Sequence, residues 1–401
     1  MCGWRLRGRR RLCAAWTIAL ALLVAAALAP AASANQLSLF RRGVWVWYVS
    51  NSGGVNSIIS TAHRYGVKTV YIKSGDGGGS WSQFNAGTVS RLHSAGLHVC
   101  AWQYIYPGSA SAEAGVGATS VKAGADCLMI DAESEWEASG GGLGHYVEAQ
   151  TYIRKLRKLI GGSFPVGLAG FPYVDYHPSF PYSVFLGPGG AQYNEPQMYW
   201  NAIGVSPDTL YSHTFTYNRP YGRTIVDLGD LATSDGSYSS NDIYRFRQLS
   251  KAYGSPGVAY WEWSQIPGWA WRALSRSIHW LRNYRPDQSW ATLGQGDQSD
   301  LVVWAQEHLY SAGQHITIDG NFGSHTQRAV QNFQRAHGLN PDGVIGASTW
   351  KALLRYPAAN VTWTSSGAHT ARDGNSLVLP LPKSARLHAK RYEIPPHMGA
   401  G

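Results

Sequence analysis

The sequence has few cysteines and few acidic residues for its length. Of 401 residues, 4 are Cys and 24 are Asp or Glu, against 34 Lys or Arg. Cys2 and Cys13 fall in an N-terminal segment described below, which leaves Cys100 and Cys127, too few for the disulfide framework of a small secreted scaffold. We expect these two to be buried thiols on neighbouring strands, with an oxidised pair as the alternative.

Several catalytic and cofactor motifs are also absent. The chain has no HExxH or CxxC motif, and its 14 His follow no metal-ligand spacing, which argues against a zinc hydrolase. It has no GxSxG elbow, no GxGxxG fingerprint after the first strand and no GK[ST] loop. The sequence therefore predicts neither a metal nor a cofactor.

The only long apolar run lies at the N terminus. A basic stretch, "RLRGRRRLC", precedes the apolar "AAWTIALALLVAAALA", and "ASA" ends at Ala34. This order predicts a signal peptide over residues 1–34, cleaved before Asn35, with an uncleaved anchor as the alternative. No other run approaches the roughly 18 apolar residues of a transmembrane helix. We therefore expect a secreted protein, extracellular or associated with the cell wall.

The remaining charge is modest. Cleavage would remove five Arg, so the formal net charge would fall from +10 to +5. An excess of this size suits loose contact with an anionic wall and does not indicate nucleic-acid binding. The 17 Trp and 23 Tyr form a high aromatic content, which is common in proteins that stack on sugars. We expect a monomer.

Eight short apolar runs alternate with amphipathic segments in the first two thirds of the chain. This alternation predicts a (β/α)8 TIM barrel over residues 35–285. A doubly wound open sheet is the alternative, disfavoured by the missing GxGxxG turn. The predicted strands are 43–49, 68–74, 97–105, 126–133, 165–171, 195–200, 223–229 and 257–264.

Composition divides the rest of the chain into three parts. A stretch rich in Pro, Gly and polar residues at 286–299 predicts a linker. Residues 300–356 contain three short amphipathic segments, which predict a small three-helix domain. Residues 357–401 have no clear period and carry a basic patch, so we expect a disordered tail.

An internal repeat lies in the predicted three-helix domain. "IDGNFGSHTQRAV" from Ile318 is echoed 23 residues later by "PDGVIGASTWKAL" from Pro341. This pattern closely resembles the peptidoglycan-binding module of bacterial wall hydrolases, with its hallmark DGxFGxxTxxAVxxFQxxxGLxxDGxxGxxTxxxL. The resemblance implies peptidoglycan as partner and a groove built by the repeated turns. The residues that carry it are Asp319, Gly320, Phe322, Gly323, Thr326, Asp342, Gly343 and Gly346.

The most informative motif is "CLMIDAESEWE", Cys127 to Glu137. Residues two apart on a strand share a face, so Asp131 and Glu133 are predicted to point together into the C-terminal mouth of the barrel. Paired carboxylates at this spacing suit hydrolysis of a glycosidic bond, because charge repulsion keeps one of them protonated. We expect Glu133 to be the general acid and Asp131 its ionised partner, with Glu135 of little weight.

The motif resembles two families of glycoside hydrolases. The fourth strand of family 25 lysozymes ends in Asp-x-Glu, although this chain lacks the Asp-Val-Ser of their first strand and has Trp47 and Tyr48 there. Family 18 chitinase-like barrels carry DxxDxDxE on that strand, which Asp126, Asp131 and Glu133 match in part, with Met129 at the remaining acidic position. Either resemblance implies hydrolysis of an N-acetylated glycan.

Other polar and aromatic residues lie at predicted strand ends, where they could bind or orient a sugar. Asp227 or Glu262 could replace the acid missing from the first strand. We therefore predict a wall glycoside hydrolase, with a non-catalytic wall-binding protein as the alternative. The candidate supporting residues are Trp47, Gln103, Tyr104, Gln197, Tyr199, Trp200, Asp227, Asp230, Trp261, Glu262 and Trp263.

Overall fold

The computed structural model describes residues 38–139, 143–279 and 281–370. The predicted signal peptide lies outside these ranges, as does the tail beyond residue 370. No helix in the described ranges is long and apolar enough to cross a membrane.

Strands and helices alternate through most of the described chain. The strands are β1 Gly43–Val46, β2 Thr69–Asp76, β3 Gly79–Ser80, β4 His98–Tyr104, β5 Cys127–Asp131, β6 Val166–Ala169, β7 Tyr193–Asn194, β8 Gln197–Met198, β9 Thr224–Ile225, β10 Asp227–Asp230, β11 Val258–Trp261, β12 Val361–Thr364 and β13 Gly367–Thr370. The helices are α1 Gly54–Tyr65, α2 Ala86–Ser94, α3 Ala110–Lys122, α4 Tyr146–Ile160, α5 Tyr182–Phe185, α6 Trp200–Ile203, α7 Pro207–Asn218, α8 Ser240–Tyr253, α9 Gly268–Ser275, α10 Asp300–Ser311, α11 Ser324–Ala336 and α12 Ala347–Leu353.

The strands before residue 262 form two parallel sheets. One has the order β1-β2-β4-β5-β6-β7-β9, with β3 antiparallel to β2, and the other has the order β11-β10-β8. Every predicted strand position contains a strand, and the mixed α/β class is confirmed. Because the hydrogen-bonded ladder is divided between two sheets, the closed barrel stays a prediction.

The division has a local cause in the sequence. Pro196 has no N–H to donate and lies between β7 and β8, which belong to different sheets. The strand predicted at 195–200 contains only β8, and β7 precedes it. The strand predicted at 223–229 is divided at Val226 into β9 and β10. The strand predicted at 223–229 therefore contributes to both sheets.

Two apolar clusters follow from the alternation of side chains along the strands. Leu128 and Ile130 of β5 face the helices and join the larger cluster. Cys127 and Met129 face the opposite side, where they join Trp45, Trp102 and other residues in a second cluster enclosed by the strands. The second cluster lies beneath the candidate site.

The two remaining cysteines form a disulfide. Cys100 and Cys127 are register partners on β4 and β5 and are bonded to each other. The expectation of two free thiols is therefore wrong. The sequence places the residues on neighbouring strands but does not fix the register that sets them side by side.

The C-terminal helices pack directly against the α/β body. Trp304 of α10 donates its indole N–H to the carbonyl of Pro220 at 2.7 Å. Asp300, the first residue of α10, is fully buried, and hydroxyl groups of Tyr146, Ser183 and Tyr221 donate to its carboxylate. The α10 helix is therefore shared by the body and the repeat region.

A β-hairpin occupies the start of the predicted tail. β12 and β13 pair antiparallel, and Gln150 of α4 binds the carbonyl of Val361 at 2.7 Å and the N–H of Trp363 at 3.0 Å. The ring of Trp363 packs on Tyr146. The prediction of disorder from residue 357 is therefore wrong for this segment, because its alternating residues pack on α4.

Candidate active site

The carboxylate pair lies where β5 ends. Asp131 is the last residue of β5, and Glu133 follows in an extended conformation, so it lies just beyond the strand instead of within it. Both side chains are 7% exposed, whereas Glu135 is exposed. Trp136 anchors the following turn, because its buried indole donates to the carbonyl of Ile105 at 2.8 Å.

Gln197 at the start of β8 joins the two acids. Its Nε2 donates to Asp131 Oδ1 at 3.1 Å and to Glu133 Oε1 at 3.0 Å. Because both oxygens lie within about 3 Å of one nitrogen, they are at most about 6 Å apart. The amide orients both carboxyl groups without neutralising their charge. The structure thus brings together three residues that the sequence predicted for the site.

Burial changes the proton affinity of the pair. The pKa of Asp131 is raised well above its usual value by burial and by the charge of Glu133, while Lys73 opposes the increase. This direction is opposite to the expectation that Asp131 is the ionised partner. Asp131 belongs to the buried strand, and loss of water disfavours its charged form. Burial therefore favours the protonated form of Asp131.

Tyr199 lies near this pair and near a third acid. The pKa of its hydroxyl is raised by burial and by the charges of Asp230, Asp131 and Glu133, which places all three acids near the ring. Asp230 is the last residue of β10 and is fully buried, and the N–H of Ala232 donates to it at 2.7 Å. Tyr199 and Asp230, both predicted candidates, therefore belong to the same mouth.

Aromatic rings form the floor and one wall of the mouth. Trp261 packs against Trp102 and Trp47, with ring centroids 5.6 Å apart in each case. Trp47 also stacks on Tyr48, whose ring lies 5.0 Å from that of Trp81. Flat apolar surfaces beside carboxylates suit the faces of sugar rings. Trp47 and Trp261, both predicted candidates, lie in this aromatic group with Trp81, which was not predicted.

Lys73 is a site residue that the sequence analysis missed. It lies in β2 with 3% of its side chain exposed, and its Nζ is 2.6 Å from Asp76 Oδ2. A lysine within the apolar run "TVYIKS" is a signal that could have identified it, because an ionised lysine is seldom buried without a partner.

Gln103 and Asp227 do not join the site. The side chain of Gln103 faces the helices, where it donates to the carbonyl of Glu113 at 3.0 Å and accepts from Tyr152 at 3.3 Å. Asp227 begins β10, at the opposite end from Asp230, and accepts from Tyr211 of α7 at 2.8 Å. Burial raises the pKa of Asp227 to about 7.

Glu262 supports the wall of the mouth. Its buried carboxylate accepts from the Ser264 hydroxyl and from the backbone N–H of Trp47, and burial raises its pKa. It thereby ties the end of β1 to the turn after β11. Trp200 and Trp263 are buried in the cluster that faces the helices. Neither of these two aromatic side chains lies in the cluster beneath the acids.

The repeat residues form hydrogen bonds within the module. Gln306 of α10 donates to Asp319 Oδ1 at 2.9 Å and to Thr326 at 3.1 Å, and its Oε1 accepts from the N–H groups of Asp319 and Gly320. Gly320 has a φ of 72°, which the tight turn requires. The side chain of Phe322 is fully buried.

The second copy repeats this arrangement one helix later. Gln334 of α11 donates to Asp342 at 2.8 Å and to Thr349 at 3.1 Å, and it accepts from the N–H of Gly343. The repeated Asp, Gly and Thr residues therefore bind a glutamine from the preceding helix. The two glutamines hold the repeated turns in place. Gln334 is the Gln of the FQ pair in the hallmark, and Gln306 lies outside the 23-residue repeat.

No group of three or more His, Cys, Asp or Glu side chains is arranged to hold a metal ion within the described ranges. Uncharged donors and aromatic rings line much of the mouth, and Gln197 occupies the position between the two acids.

Two curated relatives match short parts of this chain. An uncharacterized protein of Kitasatospora aureofaciens is 43% identical over 72 residues, which is 18% of this chain and 60% of that protein. The zinc D-Ala-D-Ala carboxypeptidase of Streptomyces albus G is 36% identical over 67 residues, or 16% of this chain and 26% of that enzyme. The chain thus spans less than two thirds of the length of either relative.

A solved structure and a family match complete the comparisons. The spore cortex-lytic enzyme SleL of Bacillus cereus aligns with 60% of this chain and 75% of its own at 10% identity, with a TM-score of 0.44. Residues 298–353 match the family described as "Putative peptidoglycan binding domain". This match confirms the peptidoglycan-binding module that the repeat predicted.

Proposed function

We propose that the protein is an exported glycoside hydrolase that cleaves peptidoglycan or a related N-acetylated glycan. The observation that carries the proposal is the bridge from Gln197 to Asp131 and Glu133, which holds two buried carboxyl groups at the mouth of a parallel sheet. Paired carboxyl groups at this spacing are what glycosidic hydrolysis needs. The peptidoglycan-binding module gives the catalytic body a polymer to act on.

The pair shares one proton in this mechanism. Burial favours the proton on Asp131, the deeper residue. A bound glycan excludes water from the mouth and places the leaving oxygen beside Glu133. The proton then passes to Glu133, which donates it to the leaving oxygen, while Asp131 keeps the negative charge that stabilises the positive sugar ring.

The architecture supports the same proposal. We infer that the two sheets act as one barrel of the (β/α)8 type, because the strands from both sheets contribute to one enclosed cluster beneath the acids. Tyr199 and Asp230 border the site from the second sheet and its margin. Parallel barrels carry their catalytic groups at the C-terminal ends of strands.

Export is part of the proposal. The N-terminal residues have the order of a signal peptide. The disulfide between Cys100 and Cys127 fits an oxidising compartment, since cytosolic thiols are kept reduced. Peptidoglycan, the expected partner of the module, lies outside the cytoplasmic membrane.

Replacement of Glu133 tests the proposal. Glu133→Gln keeps the shape and the hydrogen bond to Gln197 but cannot donate a proton, so turnover of a purified wall suspension should fall by about 10²–10⁴. Glu135→Gln is the matched control, because Glu135 is exposed and hydrogen-bonds Tyr104. Loss of turbidity follows the reaction. Wild-type rates in Glu133→Gln would reject the assignment, and an inactive wild type that still binds walls would favour a non-catalytic binding protein.

A further inference from the structure

Lys73 lies in the inward-facing row of side chains directly below the acids. In the parallel register it pairs with Trp102, which pairs with Met129, and the next inward row contains Asp76, Tyr104 and Asp131. The ladder is irregular between Lys73 and Gly75, so the end of β2 is displaced relative to β4. The lysine is thus one row below Asp131.

Aromatic rings surround the ammonium group. Its Nζ lies 4.6 Å from the ring centroid of Trp81, 4.8 Å from that of Trp102 and 5.1 Å from that of Trp47. Ring faces attract a cation more strongly when water is excluded. Together with the ion pair to Asp76, these rings compensate the cost of burying the charge.

The backbone around Lys73 is also fixed. The Nε2 of Gln83 donates to the carbonyl of Lys73 at 2.9 Å and to the carbonyl of Trp47 at 2.7 Å. Its Oε1 accepts from the N–H of Val49 at 2.9 Å. One glutamine therefore ties the ends of β1 and β2 together, and the ammonium group has a fixed position relative to the floor of the mouth.

We propose that Lys73 is a positioning residue that holds negative charge on Asp131, so that the shared proton is on Glu133 when the glycan is bound. This inference rests on the proposed function. The proton leaves the Asp131 carboxyl group and joins a carboxylate oxygen of Glu133, and the charge that remains on Asp131 is stabilised by the fixed ammonium group. Glu133 then gives the proton to the leaving oxygen.

The charged groups around Asp131 act in opposite directions. Glu133, Glu135 and Asp76 each raise the pKa of Asp131, and Lys73 lowers it. The hydroxyl groups of Tyr104, on β4, and Tyr199, in the turn after β8, face the same acids. The pKa values of both tyrosines are raised, so both hydroxyl groups stay neutral. Asp230 and Asp235 lie beyond Tyr199.

Charge substitutions at Lys73 and Asp76 give opposite expectations. Lys73→Met removes the cation and keeps the apolar stem, so the pH profile of kcat/KM should move up by about one unit, with a lower kcat and a nearly unchanged KM. Asp76→Asn removes an anion that raises the pKa of Asp131, so the pH profile of kcat/KM for this variant should shift to lower pH. Lys73→Arg keeps the charge and should restore the position of the profile.

A direct titration separates this inference from the proposed function. Carbon-13 NMR of the side-chain carboxyl groups, with Asp131→Asn for assignment, measures the apparent pKa of Asp131 in wild type and in Lys73→Met without any turnover. A higher pKa in Lys73→Met and a lower one in Asp76→Asn support the inference even if no glycan is cleaved. Equal values in all three proteins, or a kcat loss with an unmoved pH profile, overturn it. Should Lys73→Met fail to fold, Lys73→Gln, which also removes the charge, takes its place in the titration, and an unchanged pKa of Asp131 in that variant overturns the inference.

Discussion

The contact between the body and the module should make stability depend on pH through Asp300. Its Oδ1 accepts from the hydroxyl groups of Tyr146 and Ser183, and its Oδ2 accepts from Tyr221 at 2.7 Å and from the N–H of Ser183 at 2.9 Å. Asp300→Asn keeps the shape and one acceptor oxygen but removes the charge. The hydroxyl groups can rotate to accept from the new amide.

The magnitude follows from the proton affinity of the buried carboxyl group. Burial, partly offset by these hydrogen bonds, raises the pKa of Asp300 from 3.8 to about 6. An acid with a raised pKa in the folded state stabilises the fold most below its unfolded pKa, and this contribution is lost as pH rises to the folded pKa. Two pH units correspond to about 3 kcal/mol. Wild type should lose this amount relative to Asp300→Asn between about pH 4 and about pH 7.

Urea denaturation of both proteins across this pH range measures the effect. Other buried acids, such as Glu113 and Asp227, titrate in both proteins and cancel in the difference. A difference in unfolding free energy that stays constant with pH would refute the reasoning. Wild type gaining stability relative to the variant as pH rises would show that the hydrogen bonds outweigh burial.

Three further predictions concern the module, the disulfide and a residue outside the site. Gln334→Ala removes a buried side chain that forms hydrogen bonds to both ends of a turn, so the unfolding free energy should fall by about 3 kcal/mol. Cosedimentation of this variant with purified peptidoglycan should also weaken. Ser324→Ala, at an exposed position, should change neither quantity. Cys100→Ser removes the disulfide to Cys127, which closes a loop of 27 residues, so the unfolding free energy measured by urea denaturation should fall by roughly 3 kcal/mol. The reduced wild-type protein and the variant should unfold at the same urea concentration. Asp227→Asn should keep kcat within about twofold on wall material, because its carboxylate faces a helix; a larger loss would place it in the site.

Much of the fold could be predicted from sequence, because strand periodicity and turn residues are local. The alternation of apolar runs gave the strands, and "CLMIDAESEWE" gave the acids. The orientation of Gln103 could not be predicted, since β4 is apolar on both faces and period alone does not tell the inward face from the outward one. The same ambiguity concealed the outward position of Asp227.

The missed residues depend on contacts between distant segments. Gln197 was a predicted candidate, but its bridge to Asp131, 66 residues away, was not predicted, and the repeat pattern does not include Gln306 as a partner of the first turn. Lys73 acts on Asp131 through strand order, which the sequence does not state. The hairpin at Val361–Thr370 needs the surface of α4 to pack against, so local composition alone indicated disorder.

Glycan cleavage itself is tested most directly by mass spectrometry of the fragments released from purified peptidoglycan. The account predicts that the wild-type protein releases soluble fragments with new reducing ends on an amino sugar, and that Glu133→Gln releases none while still sedimenting with the wall. A reducing end on muramic acid would identify a muramidase, and one on glucosamine a glucosaminidase. No new reducing ends from the folded wild-type protein, or the same fragments from Glu133→Gln, would contradict the account.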